Sequence, residues 1–401
     1  MTDGTPQKIK HRAGLFLGIG LMYLAAYQMF KLPPILPVLL ESFHYDRTLA
    51  GCFMSVYAAV GLFLSVPLGR LVARQGPVSI TGISIVIMIA GNILGLWFPE
   101  SGITMLFARS LEGMGFAGFA IVGPVLANRN ASQSVLPIVI SLTAIWIPVG
   151  QLIAAGVTPI VLPVSGWQTL WWIGILGTIV LGVIAIPVLR TQPFTYPGNN
   201  PLSEELDIKP LQRVERRHLV IAASVFTLFS IQYFAFMTWL PQYLVEAMGM
   251  SLVDSAVGYI MPIVMMIMVS FMTGWMIRTG YKTEKLMIVG MVLISLLWGL
   301  VPLAGIGMWG ILFMIIYGVG AGMTPTCLFA MPATIVGPNG ATADAFGIIM
   351  TGRNLGVLVG PVLLAWIFTV SGTWTYISPV FFMTSLVGCC MSIYLYHRLK
   401  S

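Results

Sequence analysis

Charge is what this chain has least of. Of its 401 residues only 8% are Asp, Glu, Lys or Arg, against about a quarter in a soluble domain. A water-soluble fold of this length cannot cover its surface with so few charges. Cysteine is scarce too. Cys52, Cys327, Cys389 and Cys390 all lie in apolar segments, where thiols serve as small hydrophobes rather than as disulfide or metal partners. The histidines, His11, His44, His218 and His397, fall at segment ends or in loops. None pairs with another at metal-ligand spacing, so no metal site is expected. The Gly-rich runs GMGFAG and GVGAG lack a following Lys-Ser/Thr. They read as helix-packing surfaces rather than phosphate loops, and neither ATP use nor a cofactor is expected. No cleavable signal peptide is expected, because the apolar run after the polar, basic MTDGTPQKIKHR is too long for a signal h-region.

What the chain has in abundance is hydrocarbon: 58% of its residues are hydrophobic, in runs that reach the ~20 residues needed to cross a bilayer as a helix. Polar breaks and Gly/Pro punctuation divide it into about twelve spans, near 14–38, 48–68, 77–98, 104–126, 134–162, 167–189, 219–245, 254–277, 286–305, 308–335, 343–370 and 373–396. The fold class is therefore an all-α membrane protein. One long polar segment, RTQPFTYPGNNPLSEELDIKPLQRVERRH (190–218), separates residues 1–189 from 219–401 and reads as a linker between two six-helix bundles.

Lys and Arg are not shared evenly among the loops. Lys8, Lys10 and Arg12, Arg70 and Arg74, Arg129, the linker, Arg278, Lys282 and Lys285, and Arg398 and Lys400 fall in alternate connections. The intervening connections carry Glu41, Asp46, Glu100, Glu246 and Asp254, with Arg47 the single basic exception. Basic loops stay in the cytoplasm, so the termini and the linker are expected there. Basic residues scattered over separate loops of one membrane face do not make a nucleic-acid surface.

The two halves also resemble each other. ARQG (73–76) and IRTG (277–280) share Arg-x-Gly at an offset of 204, from Arg74 to Arg278. GMG and GVG are offset by 205, from Gly113 to Gly318. Gln28 and Pro37 find partners in Gln232 and Pro241, and SGW (165–167) recurs loosely as SGTW (371–374). Matches in one order at nearly one offset indicate a duplicated six-span unit, an architecture used by secondary transporters.

These residues carry a resemblance to the major facilitator superfamily of transporters. The loop motif Gly-x-x-x-Asp-Arg-x-Gly stands here as GRLVARQG: Gly69, Arg74 and Gly76 match, while Ala73 replaces the Asp. Arg-x-x-x-Gly-x-Gly of span four stands complete as RSLEGMG through Arg109, Gly113 and Gly115, and GVLVGP (356–361) is similar to the family's span-eleven pattern. Length and span layout resemble the small bacterial organic-anion and cyanate-permease-like branches. The resemblance implies a twelve-helix transporter without enzymatic activity, working as a monomer in a bacterial inner membrane. It also implies that Gly69, Arg74, Gly76, Arg278 and Gly280 belong to conformational motifs. Ala73 cannot make the carboxylate contact that helps hold the family's outward-open state.

Charge inside a span costs roughly 2.5–3.5 kcal/mol by insertion scales and usually faces the bundle interior. Lys31 in AAYQMFKLPPILPVLL is open to two readings, snorkelling to the outer interface or a place in a cavity. Pro33 and Pro34 favour the cavity, because the carbonyls they free need polar surroundings. Arg109 and Glu112 share a helix face, either as a structural pair or as a coupling site. Arg353 in TGRNLG sits about 15 Å into its span, too deep to snorkel easily. Three cations against one carboxylate favour an anionic solute bound by Lys31 and Arg353. Tyr27, Gln28, Gln151, Gln232, Tyr233, Trp239 and Asn354 are further candidates to line its path, each also explicable by packing. Energy would come from a coupling proton, with Glu112 as the candidate site, or from a counter-solute. An exporter of amphipathic compounds, with a Met- and aromatic-rich pocket such as MPIVMMIMVSFM (261–272) would supply, is the rival reading.

The loop asymmetry predicts that a tag in 190–218 is reached only from the cytoplasm and one in 41–47 only from outside. Labelling of the linker tag by an impermeant reagent in intact cells would reverse the topology.

Overall fold

The computed structural model describes residues 5–132, 135, 138, 139, 142, 143, 145–191, 211–301, 308–337 and 343–400. Within that range the chain is helical almost throughout, with 12 spans long and apolar enough to cross a membrane. They are α1 (Thr5–Phe30), followed by a 3₁₀ turn (Pro33–Ile35) and α2 (Leu36–Phe43); α3 (Arg47–Trp97), which holds the apolar spans 47–64 and 77–97; α4 (Gly102–Asn130); α5 (Trp146–Ser165); α6 (Gln168–Thr191); α7 (Arg213–Glu246); α8 (Leu252–Arg278); α9 (Thr283–Leu300); α10 (Met308–Val336); α11 (Ala343–Ser371); and α12 (Ile377–Lys400). Most of the expected linker lies outside the described residues, as does part of the stretch where span five was expected to begin; α5 starts at Trp146.

Helix ends follow local chemistry. Ser101 and Ser251, in extended conformation, accept from the backbone N–H groups of Thr104 and Asp254 at the starts of α4 and α8. Gln212 and Glu215 form a reciprocal capping box on α7. α8 ends at Gly280, whose φ of 99° suits a residue without Cβ, while Tyr281 N–H turns back to the Met276 carbonyl. This accounts for the glycine of the IRTG motif.

Lipid offers no hydrophobic drive between helices, so close packing needs small residues. A methyl group on Gly18 of α1 would lie 2.6 Å from the Gly123 carbonyl oxygen of α4. In the second half, Gly352, Gly356 and Gly360 form one stripe on α11, and a Cβ on any of them would run into the α7 backbone at Ala223, Thr227 or Ile231. The glycines of the two related motifs do similar work: Gly115 meets the Ser84 carbonyl of α3, and Gly320 meets Gly290 and Ile294 of α9. Large apolar side chains such as Val164, Ile103 and Trp275 face outward, 85%, 76% and 63% exposed. That surface belongs in lipid, and the protein is an integral membrane protein.

The contacts divide the chain into two compact units. The first comprises residues 1–35 and 59–207, the second 36–58 and 208–401. Residues 36–58, which precede the linker in sequence, thus belong structurally with the second unit.

Candidate functional site

In the first unit the site begins with a break in a helix. α1 stops at Phe30, and Pro33 and Pro34 supply no N–H to the carbonyls of Met29 and Phe30. Arg109 of α4 replaces the donor missing at Met29 and reaches the neighbouring Gln28 carbonyl as well. Its Nη2 donates to the Met29 carbonyl at 2.9 Å and its Nη1 to the Gln28 carbonyl at 3.0 Å. Nη1 also meets Glu112 Oε2, one turn along α4, at 2.5 Å.

The same Glu112 oxygen stands 3.2 Å from Lys31 Nζ. Lys31 Nζ donates to Gln28 Oε1 at 2.7 Å and Asn92 Oδ1 at 2.5 Å, and lies 4.2 Å from the centre of the Trp171 ring. An ammonium has three protons to give, and three side-chain oxygens surround this one. Lys31 therefore does not snorkel; it, Arg109 and Glu112 are all fully buried. The acceptors are themselves oriented. Asn92 Nδ2 donates to the Met88 carbonyl, and Gln28 Nε2 donates to Thr178 Oγ1. Gly174 leaves room for the Gln28 amide, which a Cβ there would meet at 2.7 Å. Tyr27 OH donates to the Leu170 carbonyl, and Gln151 is fully buried in α5.

The second unit holds Arg353, 8% exposed, on α11 beside the glycine stripe. Its guanidinium donates to Asn354 Oδ1 at 3.1 Å and lies 5.2 Å from the centre of the Phe234 ring. Among the described residues no carboxylate is within ion-pair distance of it. Phe234 packs edge-on against Tyr233, which stacks on Phe229. Gln232 forms a separate hub: its Oε1 accepts from Trp298 Nε1 and Tyr317 OH, each at 2.9 Å. Phe236, Phe313 and Phe381 surround these rings. Trp239 is tied instead to α11, donating to the Pro361 carbonyl at 3.0 Å.

With this geometry in view, the comparison with known proteins is decisive at one level. A model of the Major Facilitator Superfamily matches residues 15–361. The chain belongs to the major facilitator superfamily. Its members are transporters rather than enzymes. A segment of 159 residues is 26% identical to a Haemophilus influenzae protein named as a metabolite transport protein. The match covers 38% of the transporter and 39% of that relative.

The superfamily residues fall into place unevenly. In the span-four motif Arg109 binds the α1 carbonyls and Gly115 packs against α3. Arg278, the last residue of α8, and Gly280, just past it, are exposed. The side chain of Arg74, with Gly69, Ala73 and Gly76, lies in a stretch whose side chains are outside the described residues. Sequence reasoning paired Glu112 with Arg109 but missed its second cation, Lys31, and missed Asn92, Trp171, Trp298 and Tyr317. One signal was available: the offset of 205 that relates Gly113 to Gly318 also carries Glu112 onto Tyr317.

Removing one member of a buried ion pair strands the other, at a cost of about 3–5 kcal/mol. Glu112→Gln should therefore lower the thermal unfolding temperature of detergent-purified transporter. Lys31→Met in the same chain should recover part of that loss by removing a stranded cation. Unfolding of Glu112→Gln at the wild-type temperature would show that the triad contributes nothing to stability.

Proposed function

We propose that the protein is a secondary transporter of a small anionic solute, an organic acid or similar ion, working by alternating access in a bacterial inner membrane. In this reading it works as a monomer with both termini cytoplasmic. The observation that carries the proposal is the balance of buried charge. Among the described residues, the buried charged side chains are Lys31, Arg109, Glu112 and Arg353, three cations to one carboxylate. Glu112 is shared between Lys31 and Arg109. An anion entering such surroundings finds charge that neither water nor a protein carboxylate has fully offset. The name of the Haemophilus influenzae relative is in keeping with a metabolite as cargo.

Arg353 is the primary anion-binding residue in this proposal, with Lys31 as its counterpart in the first unit. Tyr27, Gln28 and Gln151 serve the Lys31 site, Tyr233 and Asn354 serve the Arg353 site, and Gln232 lines the substrate's path from its own hub. Proton coupling has a physical route at Glu112. While the site is empty, Glu112 is the counter-ion of Lys31 and Arg109. A bound anion takes over part of that role, which frees Glu112 to carry the coupling proton. By linkage, the proton and the anion then each favour binding of the other.

A thermal-shift screen of the purified protein against small mono- and dicarboxylates and inorganic anions identifies the ligand. Affinity for that ligand in Lys31→Gln, Arg353→Gln, Arg353→Lys and the Lys31→Gln/Arg353→Gln pair then tests its site. Loss of one charge-assisted hydrogen bond, worth about 1.5–3 kcal/mol, weakens binding roughly tenfold to a hundredfold. Arg353→Lys should also weaken it, because an ammonium lacks the planar fork. Wild-type affinity in both single variants, or selective stabilisation by cations, sinks the proposal. Coupling is checked separately. Glu112→Gln, assayed in its folded fraction, should lose accumulation driven by a proton gradient but keep exchange of labelled for unlabelled substrate.

One feature favours a second reading, an exporter of amphipathic compounds. The second unit contains a cavity of about 200 Å³ lined by Phe236, Trp239, Phe313, Met314 and Leu364. Stabilisation by hydrophobic cations and not by small anions would decide for it.

A further inference from the structure

Arg47 is the basic residue that the loop asymmetry leaves on the acidic side of the membrane. Its surroundings account for the exception. Arg47 opens α3, and its guanidinium grips Glu246 at the end of α7 with both terminal nitrogens, Nη2 to Oε1 at 2.5 Å and Nη1 to Oε2 at 3.1 Å. Two neutral donors complete the carboxylate's shell: Gln242 Nε2 at 2.7 Å and Trp374 Nε1 at 3.1 Å. The face of the guanidinium lies 4.2 Å from the centre of the Phe368 ring, which packs on Trp374, and Trp374 packs on Tyr243.

An isolated surface ion pair contributes little, but a forked pair with further donors is the arrangement in which such a contact is effective. Further along α3, Gly51 brings the backbone close enough to α11 that a Cβ would lie 2.8 Å from the Pro361 carbonyl. Beside the pair, α2 packs on α7. Residues 36–58 precede the linker, yet they belong to the unit made of residues after it.

We infer that Arg47 and Glu246, with Gln242, Trp374 and Phe368, form a latch that closes the outer end of the transporter, and that it is shut in the structure described. The inference rests on the alternating-access reading. If the six-span repeats move against each other, residues 36–58 must leave α7 and α11 when the outer side opens, and the Arg47–Glu246 fork must part. The stacked, directional contacts make this a two-position device: a guanidinium that has left the Phe368 face and the carboxylate retains neither contact. The latch also explains why an arginine stands at Arg47, since a lysine could not hold both carboxylate oxygens and stack on a ring at once.

A thiol-accessibility experiment in intact cells tests the latch. Cys52, Cys327, Cys389 and Cys390 are replaced by alanine, and Ser55→Cys provides the reporter. Ser55 is 3% exposed and lies on the same face of α3 as Arg47 and Gly51, about 12 Å further along the helix. An impermeant maleimide added outside should label it slowly when the latch is intact. Arg47→Gln or Glu246→Gln should speed labelling roughly tenfold. Arg47→Lys, which keeps the charge and disturbs folding least, should give an intermediate rate. Only protein that elutes as a single species in detergent is scored. Unchanged rates in Arg47→Lys and Arg47→Gln together overturn the latch. The readout needs no substrate, so a failed latch leaves the transport reading standing. Absence of solute flux in proteoliposomes sinks the transport reading without altering the labelling result.

Discussion

The first unit depends on one interruption of backbone hydrogen bonding. Two consecutive prolines in the first span leave carbonyls without donors where water is absent. Arg109 satisfies two carbonyls at the break, and doing so fixes a permanent positive charge inside the unit. That charge requires Glu112. Glu112 in turn makes Lys31 tolerable where its side chain reaches no solvent. The polar shell of Gln28, Asn92 and Thr178 then follows from the need to satisfy every proton of the ammonium. Each residue is explained by the one before it, and the chain of causes starts at Pro33 and Pro34. A packed apolar core is often as stable as such a network, or more so. Its retention therefore points to a task that needs charge, and anion recognition is the task proposed.

Positions that correspond between the two halves of the sequence carry different chemistry. Gln28 and Gln232 are both hubs of buried hydrogen bonds, but their partners differ in kind. Gln28 accepts from an ammonium, whereas Gln232 accepts from an indole and a phenol. Where the first half has Glu112, the second has Tyr317. One unit is thereby ionic around its glutamine and the other neutral and aromatic. Arg353 sits apart from the second hub, on a helix held against α7 by glycines. In the function proposed, the ionic surroundings suit a small anion, and in the second reading the aromatic ones suit an amphipathic compound.

Much of the architecture was legible because membranes simplify the code. Length and hydropathy set the twelve spans, and the glycines of GMG and GVG, with Gly352 and Gly356 beside Arg353, announced close helix contacts that the structure contains. The helix break at KLPP was equally readable, since proline removes a donor in any fold. The partners of the charges were not. Residues three or four apart on one helix can be paired from sequence, and Arg109 with Glu112 was. Lys31 with Glu112, and Lys31 with Asn92, bridge separate helices, and no periodicity specifies which faces meet. Tyr317 was hidden for another reason: an aromatic residue in an apolar span reads as packing until its hydroxyl is seen to have an acceptor.

Arg47 shows how an exception to a statistical rule becomes informative once its neighbours are known. The distribution of Lys and Arg among the loops governs how a chain inserts, and a single arginine among the acidic connections does not change the expected outcome. It is retained against the trend because α7 offers it a carboxylate and α11 a ring. Arg109 and Arg47 thus illustrate two uses of the same side chain. Buried and tied to main-chain carbonyls, Arg109 is committed to one arrangement, because leaving it would strand both the carbonyls and Glu112. Partly exposed and tied to a side chain that water can also solvate, Arg47 would lose less on leaving its partner. The alternating-access cycle proposed calls for both kinds: contacts that hold throughout, and contacts cheap enough to break. The burial of each ion pair, more than its length, tells which kind it is.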